Sequence, residues 1–264
     1  MTIGFFGAGK MAEGILQAVP DKRNVIMAER VPARAKELKK RYGVAVTDSV
    51  GEVARAADLI FLAVRPQDVD AVANEVKPLL TAKKTLVSIV AGKTCAKLRT
   101  AFGTKPGLIR VMPNLALRVG AGMCAICVEA GSRGLRSLKG LKRVEKIIGG
   151  AGATVRLDEK HFDAVTALSG SGPAYFAYME QAMAEGGVAL GLKPPVARLL
   201  AEQTMYGTAK FLRESGMDLG EFIAGVCTKG GTTAAGMVKL AKPMFKKTVA
   251  ATLAAAAKRS KELA

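Results

Sequence analysis

The first half of the chain alternates short apolar runs with longer segments in which polar and charged residues recur. The apolar runs are rich in Val, Ile, Leu and Phe, which predicts strands buried on both faces of a parallel sheet. These runs cover residues 2–6, 24–28, 59–64, 85–89 and 108–112. The segments between them predict helices over 11–19, 32–42, 51–57, 69–80 and 94–102. Strand followed by helix, repeated, is typical of a doubly wound α/β sheet with right-handed crossovers.

The pattern changes past the middle of the chain. Two more apolar runs, at 123–128 and 153–157, flank a basic amphipathic segment at 135–148 and complete the predicted sheet. Beyond them Gly and Ala dominate and strand patterns disappear. Predicted helices there cover residues 174–190, 194–214, 219–226 and 233–264, the last with a break at Pro243 as an alternative. We therefore expect an α/β domain over 1–157 and an all-α domain over 158–264.

Composition limits the class of protein. Half of the 264 residues are hydrophobic, which is typical of a globular chain and not of a disordered one. No apolar run reaches the roughly 18 to 20 residues of a membrane span. The N-terminus lacks the basic and apolar segments of a secretory signal. These features predict a cytoplasmic protein that makes no membrane contact.

The net charge of +18 raises the question of a nucleic-acid partner. Residues 1–160 carry 28 basic and 14 acidic side chains, so the excess lies in the first half. The basic residues are spread over predicted helix surfaces, aromatic residues make up 5% of the chain, and no RNA or DNA motif is present. We expect a solvated surface that attracts small anions, and no nucleic acid.

The four cysteines do not form a disulfide framework in a chain of this length. Cys124 and Cys127 form a CxxC, while Cys95 and Cys227 stand apart in the sequence. A structural zinc site needs four ligands, and the sequence has neither a second pair nor more than one His. We therefore expect reduced thiols packed in a strand, and no metal.

A glycine cluster follows the first predicted strand. Gly7, Gly9 and Ala12 fit the G-x-G-x-x-A pattern at the start of a helix. In that pattern the first Gly permits a tight turn, the second lets the backbone approach a pyrophosphate, and the Ala permits close helix packing. The N-terminus of the helix offers free amide donors to the same anion. Placed between strand and helix, the cluster predicts a dinucleotide-binding Rossmann domain.

Two neighbouring residues at the end of the second strand favour different dinucleotides. Glu29 lies 20 residues beyond Gly9, where a carboxylate accepts hydrogen bonds from the adenosine ribose of NAD. Arg30 suits the 2′-phosphate of NADP instead. A surface ion pair or a helix-capping charge remains an alternative for either residue.

Small or turn-forming residues follow the other strands of the predicted sheet. Ligands of open α/β sheets bind at the carboxyl ends of the strands, so these residues leave room for a flat nicotinamide ring. They are Ala63, Val64, Arg65 and Pro66 after one strand, Ala91 and Gly92 after the next, and Pro113 and Asn114 after the third. Arg65 is equally well explained as an ordinary exposed cation.

A second glycine cluster, Gly230-Gly231-Thr232-Thr233, precedes a helix in the all-α half. Two glycines before two hydroxyl residues expose several backbone amides together, which suits a carboxylate, with hydroxyls available for a neighbouring polar atom. A phosphate site or a plain helix cap is the alternative.

The all-α half also carries apolar and small residues suited to an interface. Tyr175, Phe176, Met179, Met183 and Val188 fall on roughly one helical face, and small residues beside them allow close helix approach. Packing within one subunit is the alternative. We expect a homodimer or a multiple of dimers.

The whole chain resembles the pyrroline-5-carboxylate reductase family. The matching blocks, in the family's order, are residues 3–12 (Ile-Gly-Phe-Phe-Gly-Ala-Gly-Lys-Met-Ala), 63–67 (Ala-Val-Arg-Pro-Gln), 110–114 (Arg-Val-Met-Pro-Asn), 163–175 (Asp-Ala-Val-Thr-Ala-Leu-Ser-Gly-Ser-Gly-Pro-Ala-Tyr) and 230–233 (Gly-Gly-Thr-Thr). The chain departs from the family at Arg65, where Lys is usual, at Leu115 and Ala116, and at Thr228 and Lys229.

The resemblance implies a Rossmann domain, a helical dimerisation domain, and reduction of the C=N bond of 1-pyrroline-5-carboxylate to L-proline with NADPH or NADH. It implies that Gly230, Gly231 and Thr232 hold the substrate carboxylate and that Thr233 hydrogen-bonds the ring nitrogen. Glu159 would lie near that nitrogen. The implied cofactor contacts are Ala8, Gly9, Lys10, Met11, Val64, Arg65, Ala91 and Asn114.

Two other functions stay open at this point. One is a reductase of another small cyclic imine or oxo acid, and the other is a catalytically silent dinucleotide sensor. A sensor has no need of a carboxylate pocket, so the second glycine cluster argues against it. For the cofactor we expect use of both NADPH and NADH, with Arg30 aiding the 2′-phosphate and Glu29 opposing it.

Overall fold

The computed structural model describes residues 1–129 and 135–263. Contacts along the chain divide it into two compact units. The first contains residues 1–171 together with the C-terminal stretch from Ala256, and the second contains residues 172–255. The domain boundary at 157/158, inferred from composition, stays a prediction.

The first unit is built on one eight-stranded sheet with the order β3-β2-β1-β4-β5-β6-β7-β8. The strands are β1 (Ile3–Phe6), β2 (Val25–Ala28), β3 (Ala45–Thr47), β4 (Leu59–Leu62), β5 (Thr85–Ser88), β6 (Gly107–Pro113), β7 (Gly122–Val128) and β8 (Gly152–Arg156). All neighbouring strands pair in parallel except β6 and β7. The predicted doubly wound α/β fold is confirmed.

Helices cover both faces of this sheet. They are α1 (Lys10–Ala18), α2 (Pro32–Tyr42), α3 (Val50–Ala56), α4 (Val69–Val76), α5 (Cys95–Phe102), α6 (Leu135–Gly149) and the short α7 (Phe162–Val165). The two faces form separate apolar clusters, and the adjacent residues Phe5 and Phe6 each enter a different one. Both are fully buried, and Phe5 stacks on Phe61 with ring centroids 5.0 Å apart. Burial on both faces explains why the central strands read as continuous apolar runs.

Two features of the sheet differ from the predicted pattern. The edge strand β3 has three residues that are exposed or half-buried, so its sequence gives no apolar run. Strand β7 runs antiparallel to β6. The connection between them is a short 3₁₀ segment, Leu115–Val119, and a parallel return would need a crossover of a dozen or more residues.

The second unit is helical, as predicted. Its elements are α8 (Gly172–Ala189), α9 (Pro194–Ser215), α10 (Leu219–Val226), α11 (Thr232–Leu240) and the start of α12 (Pro243–Leu263). The break at Pro243 is therefore present. Helices α8 and α9 pack together where Gly187 faces Ala197, and α9 ends at Gly216 in the left-handed conformation.

Few apolar side chains of the second unit are buried within the described chain. Ala197 and Ala201 are buried, whereas Phe176, Leu190 and Leu199 are 66%, 88% and 64% exposed. The helical unit therefore exposes more apolar surface than a monomeric protein commonly does.

Across residues 1–129 and 135–263, no helix combines the length and the apolar character needed to cross a bilayer. The same residues contain no cluster of three or more His, Cys, Asp or Glu side chains suited to hold a metal ion.

Candidate functional site

The cofactor residues predicted from sequence lie at one edge of the sheet. Strands β2, β1, β4, β5 and β6 are consecutive and parallel, so their carboxyl ends meet at the same edge. The residues that follow them are those predicted to bind the dinucleotide: Gly7, Ala8, Gly9, Lys10, Met11, Glu29, Arg30, Ala63, Val64, Arg65, Pro66, Ala91 and Asn114. Brought together in this way, they line the position where open α/β sheets bind ligands.

The turn after β1 has the backbone that a dinucleotide cradle needs. Gly7 has φ +92°, and a Cβ there would lie 2.8 Å from the carbonyl oxygen of Ala63. Gly9 is the N-cap of α1, and a Cβ built on it meets no atom within 4 Å. No side chain caps α1, so its first amides point into this open space. The residues therefore fit a dinucleotide pyrophosphate.

A buried carboxylate lies under this turn, and no local pattern in the sequence predicts it. Glu13 on α1 is 2% exposed and accepts hydrogen bonds from Arg34 Nη2 (2.6 Å), Arg41 Nη1 (3.0 Å) and Tyr42 OH (2.6 Å). Arg34 Nη2 also lies 3.5 Å from the carbonyl oxygen of Ala8. Burial raises the pKa of Glu13, but the hydrogen bonds from Tyr42 and Arg34 outweigh it and hold the pKa below its ordinary value. This cluster ties α2 to α1 beside the glycine turn.

The end of β2 places Glu29 and Arg30 in different surroundings. Glu29 Oε1 accepts the backbone amide of Val31 at 2.9 Å, so the carboxylate lies over the start of α2. Arg30 is exposed and has no salt bridge within the described part of the chain. The Glu29 carboxylate therefore has a local backbone partner just before α2, which no side chain caps, whereas Arg30 is available to an incoming phosphate.

The residues after β4, β5 and β6 are held by local contacts. Arg65 is paired with Asp68, with Nε 2.9 Å from Oδ2, and its side chain is 75% exposed. Ala91 is exposed on the next connection. The side-chain oxygen of Asn114 accepts the backbone amide of Met123 at 3.1 Å, which fixes the turn into β7. Arg65 and Asn114 therefore have structural partners in addition to their predicted cofactor role.

The second glycine cluster opens helix α11 in the helical unit. Gly230 has φ +74°, and Gly231 is the N-cap, with its amide donating to the carbonyl of Thr228 at 2.9 Å. A Cβ on Gly231 would lie 2.5 Å from Thr228 Oγ1 and 3.1 Å from the Thr228 carbonyl oxygen, so a larger residue there would require Thr228 to shift. No side chain caps α11, and Thr232 and Thr233 are exposed in its first turn. The arrangement offers free amides and two hydroxyls to a carboxylate ligand.

Glu159 belongs to the first unit and is held by two donors there. Its Oε1 accepts the backbone amide of Cys95 at 2.7 Å and Arg110 Nη1 at 2.8 Å. Arg110 is a buried cation on β6, and its guanidinium carbon lies 4.7 Å from the ring centroid of Phe162. Glu159 Oε1 therefore accepts both of these donors, and the carboxylate also interacts with the Cys95 thiol. Sequence reasoning singled out Glu159 but not Arg110, whose signal is a lone Arg within an apolar strand.

Comparison with known proteins then identifies the family. A family model for pyrroline-5-carboxylate reductase dimerisation matches residues 159–263, and a model described as NADP oxidoreductase, coenzyme F420-dependent, matches residues 2–92. The pyrroline-5-carboxylate reductase of Pisum sativum is 39% identical to this chain, over 99% of this chain and 96% of that protein. The chain belongs to the pyrroline-5-carboxylate reductase family.

Solved structures of this family match the whole fold. The Plasmodium falciparum pyrroline carboxylate reductase with NADP bound has a TM-score of 0.86 and 31% identity, covering 100% of this chain and 98% of that one. A pyrroline-5-carboxylate reductase from Coxiella burnetii has a TM-score of 0.91 and 29% identity at the same coverage. The family, the α/β-plus-helical fold and the nicotinamide class of cofactor expected from the sequence are confirmed.

Proposed function

We propose that this protein reduces the C=N bond of 1-pyrroline-5-carboxylate to give L-proline, the last step of proline biosynthesis, with NADPH or NADH as the reductant. Membership of the pyrroline-5-carboxylate reductase family over 99% of the chain is the observation that carries the proposal. The uncapped helix starts at Gly9 and Gly231 support it, because a dinucleotide and a carboxylate both need exposed amides.

The nicotinamide cofactor belongs at the carboxyl edge of the sheet. Gly7, Gly9 and the first amides of α1 hold its pyrophosphate, and Arg30 meets the 2′-phosphate when NADPH is bound. The remaining proposed contacts are Ala8, Lys10, Met11, Glu29, Ala63, Val64, Arg65, Pro66, Ala91 and Asn114. The bound cofactor supplies the hydride.

The substrate belongs at the start of α11. The amides of Gly230, Gly231 and Thr232 hold its carboxylate, with the Gly231 amide shared between this ligand and the Thr228 carbonyl, and the Thr233 hydroxyl bonds the ring nitrogen. That Glu159 lies near the ring nitrogen, as the family resemblance implies, stays a prediction. A protonated cyclic imine is already electrophilic, so the enzyme mainly orients it and balances its charge. Such a reaction needs few acid–base groups, which agrees with a chain that contains one His.

Association into a homodimer is part of the proposal. Its support is the match to a dimerisation model over residues 159–263 and the exposed apolar side chains of the helical unit. Multiples of a dimer and a cytoplasmic location stay predictions.

The decisive assay follows nicotinamide oxidation with and without 1-pyrroline-5-carboxylate. Substrate-dependent oxidation that yields proline is expected. A silent sensor would bind dinucleotide without turnover, and a reductase of another imine or oxo acid would turn over faster on that compound in a side-by-side panel. Either result would overturn the proposed activity.

The role of Thr233 is tested by Thr233→Ala, which removes the hydroxyl at the proposed ring nitrogen. Turnover should fall at least about tenfold, in the range of a lost hydrogen bond to a charged group. Thr252→Ala is the control, since that hydroxyl bonds the backbone of its own helix at 2.9 Å. Equal turnover in both variants would remove Thr233 from the catalytic site.

The use of both cofactors is tested by separate titrations of NADH and NADPH. Arg30→Ala should raise KM for NADPH while leaving KM for NADH unchanged, because only NADPH carries the 2′-phosphate. Glu29→Ala should favour NADPH. Exclusive use of NADPH with no effect of Glu29→Ala would contradict this assignment.

A further inference from the structure

Two cysteines that are far apart in sequence, Cys95 and Cys127, are both buried in the first unit beside the ion pair of Arg110 and Glu159. We define the thiol cluster as Cys95, Cys127, Arg110 and Glu159. Cys95 is the first residue of α5, and Cys127 lies on β7 directly opposite Arg110 of β6. Residues directly opposite in an antiparallel pair point to the same face, so the Cys127 thiol and the Arg110 side chain share a face of the sheet.

Fixed contacts hold the thiol cluster together. Glu159 Oε1 bridges the backbone amide of Cys95 at 2.7 Å and Arg110 Nη1 at 2.8 Å. The Cys95 and Cys127 thiols each shift the pKa of the other, which places the two side chains near one another, and the Cys127 Sγ lies 3.6 Å from the carbonyl oxygen of Val128. Glu159 therefore joins the start of α5 to β6, the strand that pairs with β7. Cys124 is three residues from Cys127 on the same strand, and so it points to the opposite face.

The surroundings give the two thiols different acidities. The pKa of Cys127 is lowered mainly by the hydrogen bond with Cys95, with a further contribution from Arg110, while burial and the negative charge of Glu159 partly oppose this shift. The pKa of Cys95 is raised by the same hydrogen bond, by burial and by the nearby Glu159. A thiolate is the reactive form of cysteine, so Cys127 is the attacking thiol and Cys95 the protonated neighbour.

A small molecule has a route to Cys127. The residue lines a surface cavity of about 650 Å³, together with Val128, Leu157, Asp158 and His161. Cys127 itself is 6% exposed, which limits access to reagents the size of a peroxide. Cys124 is 2% exposed, and burial raises its pKa to about 12.

We propose that Cys127 is a site of reversible oxidation by hydrogen peroxide, with Cys95 as the resolving thiol. The Cys127 thiolate attacks the peroxide, an S–O bond forms, the O–O bond breaks, and hydroxide leaves and takes up a proton. The Cys95 sulfur then attacks the sulfenic acid, an S–S bond forms, and water leaves with the Cys95 proton. Two thiols are oxidised to one disulfide while peroxide is reduced to water.

The test treats the purified full-length protein with hydrogen peroxide and follows the intact mass. The expected product has lost two hydrogen atoms and returns to the starting mass with dithiothreitol, and peptide mapping places the bond between Cys95 and Cys127. In Cys95→Ser the resolving thiol is absent, so dimedone should label Cys127 as the sulfenic acid. These measurements need no substrate, and their outcome is independent of the proposed function.

Cys124→Ser is the matched control, because it removes a buried thiol of the same strand that points away from the cluster. It should form the disulfide at the wild-type rate, whereas Cys127→Ser should form none. Cys127→Ala serves as a second variant if the serine variant does not fold. Dimedone labelling of Cys127 should exceed that of Cys124 by roughly tenfold or more, because the thiolate reacts. Absence of the Cys95–Cys127 bond, or equal labelling of both thiols, would overturn the proposal.

Discussion

Replacement of the buried Glu13 by Gln tests the carboxylate cluster beneath the glycine turn. The substitution keeps the size of the side chain but removes its charge. Glu13 is the shared acceptor for Arg34, Arg41 and Tyr42, and its side chain is 3% exposed. The cluster therefore loses the negative charge on which two cations and a phenol converge.

The expected loss of stability depends on which other partners Arg34, Arg41 and Tyr42 retain when Glu13 is replaced. Arg41 is 57% exposed and regains water, and the Tyr42 hydroxyl still receives a bond from Gln17. Arg34 is 23% exposed and keeps Glu37 as its second partner. Removing one member of a buried ion pair costs about 3 to 5 kcal/mol. With this partial compensation we expect a loss of about 3 kcal/mol, or roughly 6 to 12 °C in Tm for a unit of this size.

The measurement is thermal unfolding by circular dichroism at fixed protein concentration. Glu37→Gln is the control, because Glu37 pairs with the same Arg34 at 2.8 Å but is 51% exposed. It should change stability by less than about 1 kcal/mol. If both substitutions lower Tm equally, or if Glu13→Gln lowers it by less than about 2 °C, the cluster does not stabilise the first unit as reasoned.

The pH dependence of this effect has a defined sign. The pKa of Glu13 lies below its ordinary value of 4.5 in the folded protein. The stabilisation that ionised Glu13 provides is therefore fully present above pH 4.5. It is lost as the pH falls through the pKa that Glu13 has in the folded protein. The difference in Tm between wild type and Glu13→Gln should shrink below pH 4.5, and a difference that grows there would contradict the assignment.

Two further substitutions, each with a control variant, test cofactor binding and subunit association. Gly9→Ala places a methyl group in the open space before α1, so KM for the cofactor should rise about tenfold while stability changes by less than about 1 kcal/mol. Gly43→Ala, at φ +66°, is the control: the free energy of unfolding should fall by about 1 kcal/mol while KM for the cofactor stays unchanged. If the two variants behave alike, the glycine turn does not bind the dinucleotide as proposed. Leu199→Asp should give monomers in size-exclusion chromatography with light scattering. Val119→Asp is the control, because Val119 is exposed in the first unit, and it should leave the oligomeric state unchanged. If Leu199→Asp remains a dimer, the exposed apolar surface around Leu199 is not the interface.

The elements that the sequence predicted correctly are those with a local signal. Strands such as β1, β4 and β5 are buried on both faces and read as apolar runs, whereas β3 is short, half-exposed and has no such run. The glycine turn at Gly7 was predictable because its positive φ restricts the residue type at that position. Glu29 shows where such signals end, because its spacing from Gly9 suggested a ribose contact, whereas its side chain also accepts the backbone amide of Val31.

The sequence by itself determined the α/β order, the glycine turns and the family, because each depends on residues close together in the chain or on matched motifs. Tertiary structure decided which distant side chains meet. Cys124 and Cys127 look like a pair in the sequence, but the two-residue period of a strand places them on opposite faces. Cys127 instead shares its surroundings with Arg110 and Cys95, and the Cys95 amide is bound by Glu159, 64 residues away along the chain. Glu13 likewise finds its partners 21 to 29 residues away. Such contacts depend on strand register and helix packing, which no local pattern of residues specifies.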